Sequence, residues 1–216
     1  MVKVKFCGIR RTEDIEAVNR LKPDLAGFVF AKSKRQVTKE QAAALKELLD
    51  PGIKTVAVLV NMPVEEAAAL ANTGIADLLQ LHGDEDAAYI AKLKTLTGAK
   101  IIKAIRLRSG DPEANAKLLT EAVQADYYLF DTFLPDTYGG TGKTFSLSLL
   151  KGMRIEKPFL LAGGLDADNV AEIIRQVQKD ETLRPNFYGV DVSGGIETDG
   201  YKDTVKMEAF MKAIRG

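Results

Sequence analysis

The feature that most constrains the fold of this chain is a series of eight short apolar runs, separated by segments with helical periodicity. Most of the runs are apolar on both faces. Parallel strands read this way when helices cover one side and a core fills the other. The runs span residues 2–7, 25–30, 55–60, 76–81, 100–107, 127–131, 159–162 and 187–192.

The segments between these runs carry the signals of amphipathic helices. Thr38 is followed by Gln41 in a capping-box pattern, and Leu45, Leu48 and Leu49 then fall on one face. Eight strands alternating with helices predict a closed (β/α)8 TIM barrel. An open doubly wound sheet is the alternative, because alternation alone does not establish closure. We expect one compact domain over residues 1–216.

Charge and composition exclude several classes of function. The 30 Lys and Arg residues balance 30 Asp and Glu residues, so the net charge is zero and no nucleic-acid partner is expected. Cys7 is the only cysteine, which fits a reducing compartment. The apolar stretches are too short for a signal peptide or a membrane span. We therefore predict a cytoplasmic protein without a membrane partner, present as a monomer or a homodimer.

Residues that follow the strands are the candidates for chemistry, because active sites of such barrels lie at the carboxyl ends of the strands. The candidates come from all parts of the sequence, and the barrel would bring them to one face. In chain order they are Cys7, residues 32–35, Asn61, His82, Arg106, Arg108, Asp131, Gly163, Gly164, Ser193, Gly194 and Gly195.

The last five of these candidates predict a phosphate site. Gly163 and Gly164 follow the seventh strand, and Ser193, Gly194 and Gly195 follow the eighth. Glycine lets backbone amides approach an anion closely, and these two loops are a frequent phosphate site of this fold. Either glycine pair taken alone would equally fit an ordinary turn.

Cys7 and Asp131 are candidates for an acid/base pair on opposite sides of a pocket. Each also has a structural interpretation: Cys7 as a small buried apolar residue, and Asp131 as a helix cap or a solvated loop residue. His82, the only histidine, is either a substrate contact or a structural side chain. No spacing of His, Cys, Asp and Glu fits a metal site, and we expect neither a metal nor a cofactor.

One motif is misleading. The sequence Gly142-Lys143-Thr144 looks like the end of a P-loop, but position 137, where the first glycine is required, holds threonine. We therefore do not expect nucleotide binding there. A glycine-hinged lid over residues 132–144 fits this polar segment better.

The strand-end residues together resemble the phosphoribosylanthranilate isomerase family over essentially the whole chain. Lys34 departs from the pattern, because the family usually has Pro between the Ser and the Arg of the second loop. The matching pieces are Lys5-Phe6-Cys7-Gly8-Ile9, residues 33–37 around Arg35, Gln80-Leu81-His82-Gly83, Leu129-Phe130-Asp131-Thr132, Gly139-Gly140-Thr141-Gly142 with Phe145, Leu161-Ala162-Gly163-Gly164-Leu165, residues 190–197 and Gly200-Tyr201-Lys202-Asp203.

The resemblance implies an Amadori rearrangement of N-(5-phosphoribosyl)anthranilate to 1-(2-carboxyphenylamino)-1-deoxyribulose 5-phosphate in tryptophan biosynthesis. Asp131 matches the family's general acid and Cys7 its general base. Arg35 matches the group that holds the anthranilate carboxylate, and the glycine loops would hold the phosphate. A free thiol is only about 3% ionised at pH 7, so Cys7 needs surroundings that favour the thiolate, and Asp131 must carry a proton when it acts.

Two other functions remain open from the residues alone. A related sugar-phosphate isomerase would be expected to carry Asp in place of Cys7 at the first strand end. A non-catalytic barrel that binds a phosphate ligand would not need Cys7, Asp131 and Arg35 together.

Overall fold

The computed structural model describes residues 1–107, 111–132 and 146–216. Eight parallel strands close into a barrel in the order β1 to β8. Strand β1 pairs with β8, with Lys5 beside Asp191, and this pairing closes the barrel. The predicted closed barrel is confirmed, and the open sheet is excluded. The strands are β1 Lys3–Cys7, β2 Leu25–Val29, β3 Lys54–Leu59, β4 Leu78–Leu81, β5 Lys100–Leu107, β6 Tyr127–Thr132, β7 Phe159–Leu161 and β8 Phe187–Val192.

Helices follow most of the strands, as the sequence predicts. A short 3-10 helix at Leu147–Leu150 stands before β7, and a two-stranded ribbon, β9 Glu197–Thr198 with β10 Tyr201–Lys202, follows β8. The α-helices of the described residues are α1 Thr12–Leu21, α2 Lys39–Leu48, α3 Val64–Asn72, α4 Ala87–Leu96, α5 Pro112–Glu121, α6 Val170–Lys179 and α7 Thr204–Arg215.

The capping box before α2 is confirmed at its two hydrogen bonds. The amide of Gln41 donates to Thr38 Oγ1 at 3.2 Å, and the amide of Thr38 donates to Gln41 Oε1 at 2.9 Å. These bonds satisfy backbone groups that have no partner inside the helix. The start of α2 is therefore fixed by local sequence, and so is the length of the loop that carries Arg35.

Two apolar layers explain why the strands are apolar on both faces. The larger layer lies between the strands and the helices, where Phe6 of β1 meets Phe210 of α7 edge to face at 6.2 Å. The smaller layer fills the barrel itself, with Leu25, Val56, Leu78, Ile102, Ala104, Leu129, Leu160 and Ala162. The buried polar side chains that point into the barrel lie on the side of this layer nearer the carboxyl ends of the strands. In the described residues no helix is long and apolar enough to cross a bilayer.

Candidate active site

A cavity of about 860 Å³ opens at the carboxyl ends of the strands. Its size suits a small-molecule ligand. Most of the strand-end candidates lie in its lining, among them Cys7, Arg35, His82, Asp131, Gly163, Gly164, Ser193, Gly194 and Gly195. Side chains that are far apart in the sequence therefore face one space.

The thiol of Cys7 ends β1 and is buried at 7% exposure. Burial raises the pKa of this thiol, while the ammonium groups of Lys5 and Lys202 act in the opposite direction and the carboxylate of Asp191 adds to the rise. The net direction is upward, so in the substrate-free protein the thiolate is the minor form at neutral pH. The expectation that the surroundings favour the thiolate is therefore wrong for this site as a whole: the two lysines favour the thiolate, but desolvation outweighs them.

The loop after β8 is tied to the strand that carries the thiol. Ser193 Oγ donates to the carbonyl of Cys7 at 3.0 Å. The ammonium of Lys202 donates to the carbonyl of Ser193 at 3.0 Å and to Glu197 Oε1 at 2.8 Å. The Ser193 side chain thus spans from the predicted phosphate loop to the backbone of the predicted base.

Arg35 lines the cavity, and an ion pair holds its guanidinium in place. Its Nε and Nη2 donate to the two carboxylate oxygens of Glu197 at 2.6 and 2.8 Å, a bidentate pair. Burial alone would raise the pKa of Glu197, but hydrogen bonds from Arg35 and Lys202 hold that pKa at about 2. The carboxylate therefore stays charged and holds both cations at the rim.

The backbone around Lys34 is held although this position lacks the family's proline. The carbonyl of Lys34 accepts from Arg10 Nη1 at 2.6 Å, and the carbonyl of Gly200 accepts from Arg10 Nη2 at 3.0 Å. Arg10 thus connects the loop after β2 to the turn between β9 and β10. Hydrogen bonding from a distant side chain restrains the segment that would otherwise rely on a rigid ring.

Asp131 is the residue before the last of β6, and its carboxylate lies beside His82. His82 Nε2 is 3.5 Å from Asp131 Oδ2, and His82 Nδ1 is 2.8 Å from the amide nitrogen of Gln80. An amide nitrogen only donates, so Nδ1 accepts, and a neutral imidazole then carries its proton on Nε2. Gln80, which is 1% exposed, thereby holds the ring of His82 beside Asp131, although His82 Nε2 makes no hydrogen bond within the described residues.

The two glycine loops meet backbone to backbone beside the cavity. Gly163 and Gly164 have φ angles of 88° and 61°, a left-handed conformation that favours glycine. A Cβ on Gly195 would lie 1.9 Å from the carbonyl oxygen of Leu165, so only glycine fits there. The loops after β7 and β8 can approach each other this closely because Gly195 lacks a side chain.

Not every strand-end candidate joins the site. Asn61 contacts the loop after β4. Its backbone N–H donates to Glu85 Oε1, and its side-chain Oδ1 accepts from the backbone N–H of Asp84, both at 2.8 Å. Arg106 pairs with the same Asp84, and neither residue lines the cavity. Arg108, the motif at 142–144 and the predicted lid, apart from Thr132 at the end of β6, lie outside the described residues.

Sequence reasoning assigned no role to several polar residues of the site. Lys5, Gln80 and Asp191 lie in strands at positions that share a face with Cys7, His82 and Ser193 respectively, and this alternation was the available signal. Glu197 and Lys202 belong to matching family pieces, but their partners are remote in sequence. In the described ranges, no three His, Cys, Asp or Glu side chains are grouped so that they could hold a metal ion.

Comparison with known proteins identifies the family. Residues 4–213 match the family model described as N-(5'-phosphoribosyl)anthranilate (PRA) isomerase. The isomerase of that name from Thermoanaerobacter sp. (strain X514) is 51% identical over 216 residues, which cover 100% of this chain and 99% of the relative.

Solved structures agree with the sequence match. Phosphoribosylanthranilate isomerase from Thermotoga maritima superposes with a TM-score of 0.84 at 33% identity over all of both chains. A second structure of such an enzyme, in complex with reduced 1-(o-carboxyphenylamino)-1-deoxyribulose 5-phosphate, gives a TM-score of 0.81 at 30% identity over all of both chains. The chain therefore belongs to the N-(5'-phosphoribosyl)anthranilate isomerase family.

Proposed function

We propose that the chain catalyses the Amadori rearrangement of N-(5-phosphoribosyl)anthranilate, with Asp131 as general acid and Cys7 as general base. The observation that carries the proposal is that both side chains line one cavity beside the two glycine loops. Proton transfer of this kind needs one acid and one base at the reacting sugar. Family membership favours this reaction over another sugar-phosphate isomerisation and over a non-catalytic binding role.

The reaction begins with ring opening. Asp131 gives its proton to the ring oxygen, the bond from that oxygen to C1 breaks, and the nitrogen lone pair forms a C1=N bond. Cys7, as thiolate, then takes the proton from C2. The C2–H electrons form a C1=C2 bond, and the C1=N electrons return to nitrogen. The resulting enolamine takes up a proton at C1, loses its hydroxyl proton at C2, and becomes the aminoketose.

Arg35 is the group that would bind the anthranilate carboxylate. Glu197 occupies the edge of the guanidinium formed by Nε and Nη2. A guanidinium has five N–H donors, so the other edge is available to a second carboxylate. Glu197 therefore sets the direction in which Arg35 presents its remaining donors to the substrate.

The phosphate would be held by backbone amides of the two glycine loops. Gly163 and Gly164 contribute from one loop, and Ser193, Gly194 and Gly195 contribute from the other. Successive amides in such loops form an anion-binding concavity. We assign His82 to the acid side of the active site as a neighbour of Asp131, since it lies 3.5 Å from that carboxylate.

The proposal extends to organisation and location. The whole chain would act as one catalytic domain, because β1 and β8 pair with each other and neither half can close the barrel alone. A single unpaired cysteine supports a cytoplasmic location. The balanced charge supports a function without a nucleic-acid partner.

The test is the loss of phosphoribosylanthranilate fluorescence on addition of the purified chain. We expect steady turnover without added metal or cofactor. Addition of the product-like reduced 1-(o-carboxyphenylamino)-1-deoxyribulose 5-phosphate should inhibit competitively. A chain that leaves phosphoribosylanthranilate unchanged would contradict the proposed activity.

A further inference from the structure

A buried ion pair lies directly below the thiol of Cys7, and the reaction as described uses neither member. Lys5 is fully buried inside the barrel, and its Nζ lies 2.7 Å from Asp191 Oδ1. Burying two charges is costly even when they are paired, and replacing such a pair with apolar residues is often neutral or stabilising. Stability alone therefore does not explain a fully buried lysine inside the barrel.

The pair is close to the thiol because β2 has no side chain at the position beside it. Gly27 is the register partner of Cys7. A Cβ on Gly27 would lie 3.1 Å from the Sγ of Cys7 and 3.2 Å from the Nζ of Lys5. The sulfur and the ammonium thus border the same small space, and a methyl group there would stand against both.

We propose that Lys5 is a positioning residue of this reaction, whose ammonium, anchored by Asp191, stabilises the thiolate of Cys7. The inference rests on the proposed role of Cys7 as the base. Lys5 acts through the thiol and not on the substrate, because Cys7 and Asp191 line the cavity while Lys5 lies beneath them.

The charge state of Lys5 supports this role. Burial alone would lower the pKa of Lys5, but the charges of Asp191 and Cys7 raise it above its ordinary value. Lys5 therefore keeps its proton at neutral pH. Among the charges that act on Cys7, the ammonium of Lys5 is the strongest influence opposing the desolvation of the thiol.

Other charged groups around the thiol also act on its ionisation. Asp191 on β8 raises the pKa of Cys7 by its charge, and Lys202 on β10 lowers it. The charge of the Cys7 thiolate also raises the pKa of Arg35, in the loop after β2. Glu197 on β9 neutralises part of the charge of Arg35 and Lys202, since it is hydrogen-bonded to both. Lys5 is paired with Asp191 instead, and its ammonium borders the same small space beside Gly27 as the thiol.

The experiment measures the thiol itself, without substrate. Cys7 is the only cysteine, so the rate of alkylation by iodoacetamide reports on this one group. The rate is measured against pH for the full folded chain. In Lys5→Met the midpoint should rise by about one pH unit or more, which is about tenfold less thiolate at a fixed pH below the midpoint.

The matched control is Lys3→Met on the same strand. Lys3 is also paired with an aspartate, with Nζ 2.7 Å from Asp24 Oδ1, but its side chain is 43% exposed at the other end of the barrel. The same substitution there should leave the alkylation midpoint unchanged. A shift equal to that of Lys5→Met would assign the effect to general loss of charge and overturn the inference.

If Lys5→Met fails to fold, a second variant still tests the inference. Gly27→Ala retains every charge and places a methyl group between Sγ and Nζ. The alkylation midpoint should rise in the same direction by a smaller amount. Unchanged midpoints in the folded variants, measured against wild type, would overturn the inference.

Turnover separates this inference from the proposed function. In Lys5→Met, kcat should fall about tenfold at neutral pH and recover as the pH rises, with KM little changed. A kcat that falls equally at every pH would indicate a structural role and contradict the proposal. Full activity in Cys7→Ser would instead refute Cys7 as the base, whatever the alkylation midpoints show.

Discussion

The two sides of the cavity differ in how they prepare a group for proton transfer. On the side of β1 and β8, Cys7 lies near the ammonium groups of Lys5 and Lys202. On the side of β4 and β6, Asp131 lies beside the imidazole of His82, which accepts from the neutral amide of Gln80. A base that must become an anion is placed near two ammonium groups, whereas the acid lies beside an imidazole that is held by an amide.

This difference shows what each role requires. A buried thiol resists ionisation, so the thiolate needs nearby positive charge. An acid that must hold a proton gains nothing from a cation, but it does need a defined direction. Substitutions on one side should therefore leave the other side unchanged.

Replacement of the acid should have the largest effect. In Asp131→Asn we expect kcat to fall about 10³- to 10⁴-fold with KM within a few-fold, because the amide fits the site but cannot give up a proton to the ring oxygen. Steady-state kinetics by the fluorescence assay measure this. Asp84→Asn, at an exposed carboxylate outside the cavity lining, is the matched control. Unchanged turnover in Asp131→Asn would remove this residue from the reaction.

Release of Arg35 should affect binding more than chemistry. In Glu197→Gln we expect KM to rise about tenfold with a smaller change in kcat, because the bidentate partner that fixes the guanidinium is weakened. The control is Glu47→Gln, at an exposed glutamate of α2, which should leave KM unchanged. A fall in kcat at constant KM would place Glu197 in the chemistry instead.

Removal of the imidazole should have a moderate effect on the acid side. In His82→Asn we expect kcat to fall about fivefold, because Asp131 loses the ring that lies 3.5 Å from its carboxylate. The alkylation midpoint of Cys7 should stay at the wild-type value, because His82 belongs to the other side. A shifted midpoint would show that the two sides are not independent.

The pH dependence of stability should show the smallest effect. The pKa of Glu197 falls from an ordinary 4.5 to about 2 on folding. Its contribution is therefore complete above pH 4.5 and is lost as the pH falls from 4.5 towards 2. Urea unfolding should show a shallower pH dependence over this window in Glu197→Gln than in wild type or Glu47→Gln. Equal slopes in all three proteins would contradict the depressed pKa.

The elements and the site-lining residues could be predicted from sequence because both depend on local rules. The apolar runs located the eight strands to within two residues at each end. Most candidates that the strand-end rule gave line the cavity, but it also gave Asn61 and Arg106, which do not. Alternation alone left an open sheet as the alternative to the predicted barrel, because closure depends on the pairing of β1 with β8.

The ion pairs of the site were out of reach for the same physical reason. Lys5 and Asp191 are 186 residues apart, and Arg35 and Glu197 are 162 apart. Whether such residues meet depends on strand register and on the approach of distant loops. Alternation did predict that Lys5 and Cys7 share a face, but it did not predict that Gly27 would leave the space between them open.

The most direct test of the account is the pH–rate profile of wild type and Cys7→Ser, followed by the loss of phosphoribosylanthranilate fluorescence. Burial raises the pKa of Cys7, so wild-type kcat/KM should climb with pH beyond neutrality as the thiolate forms. Cys7→Ser should be at least about 10²-fold slower at pH 7 and lack that limb. A serine variant that keeps the wild-type rate and profile would show that the proton at C2 is taken by another group.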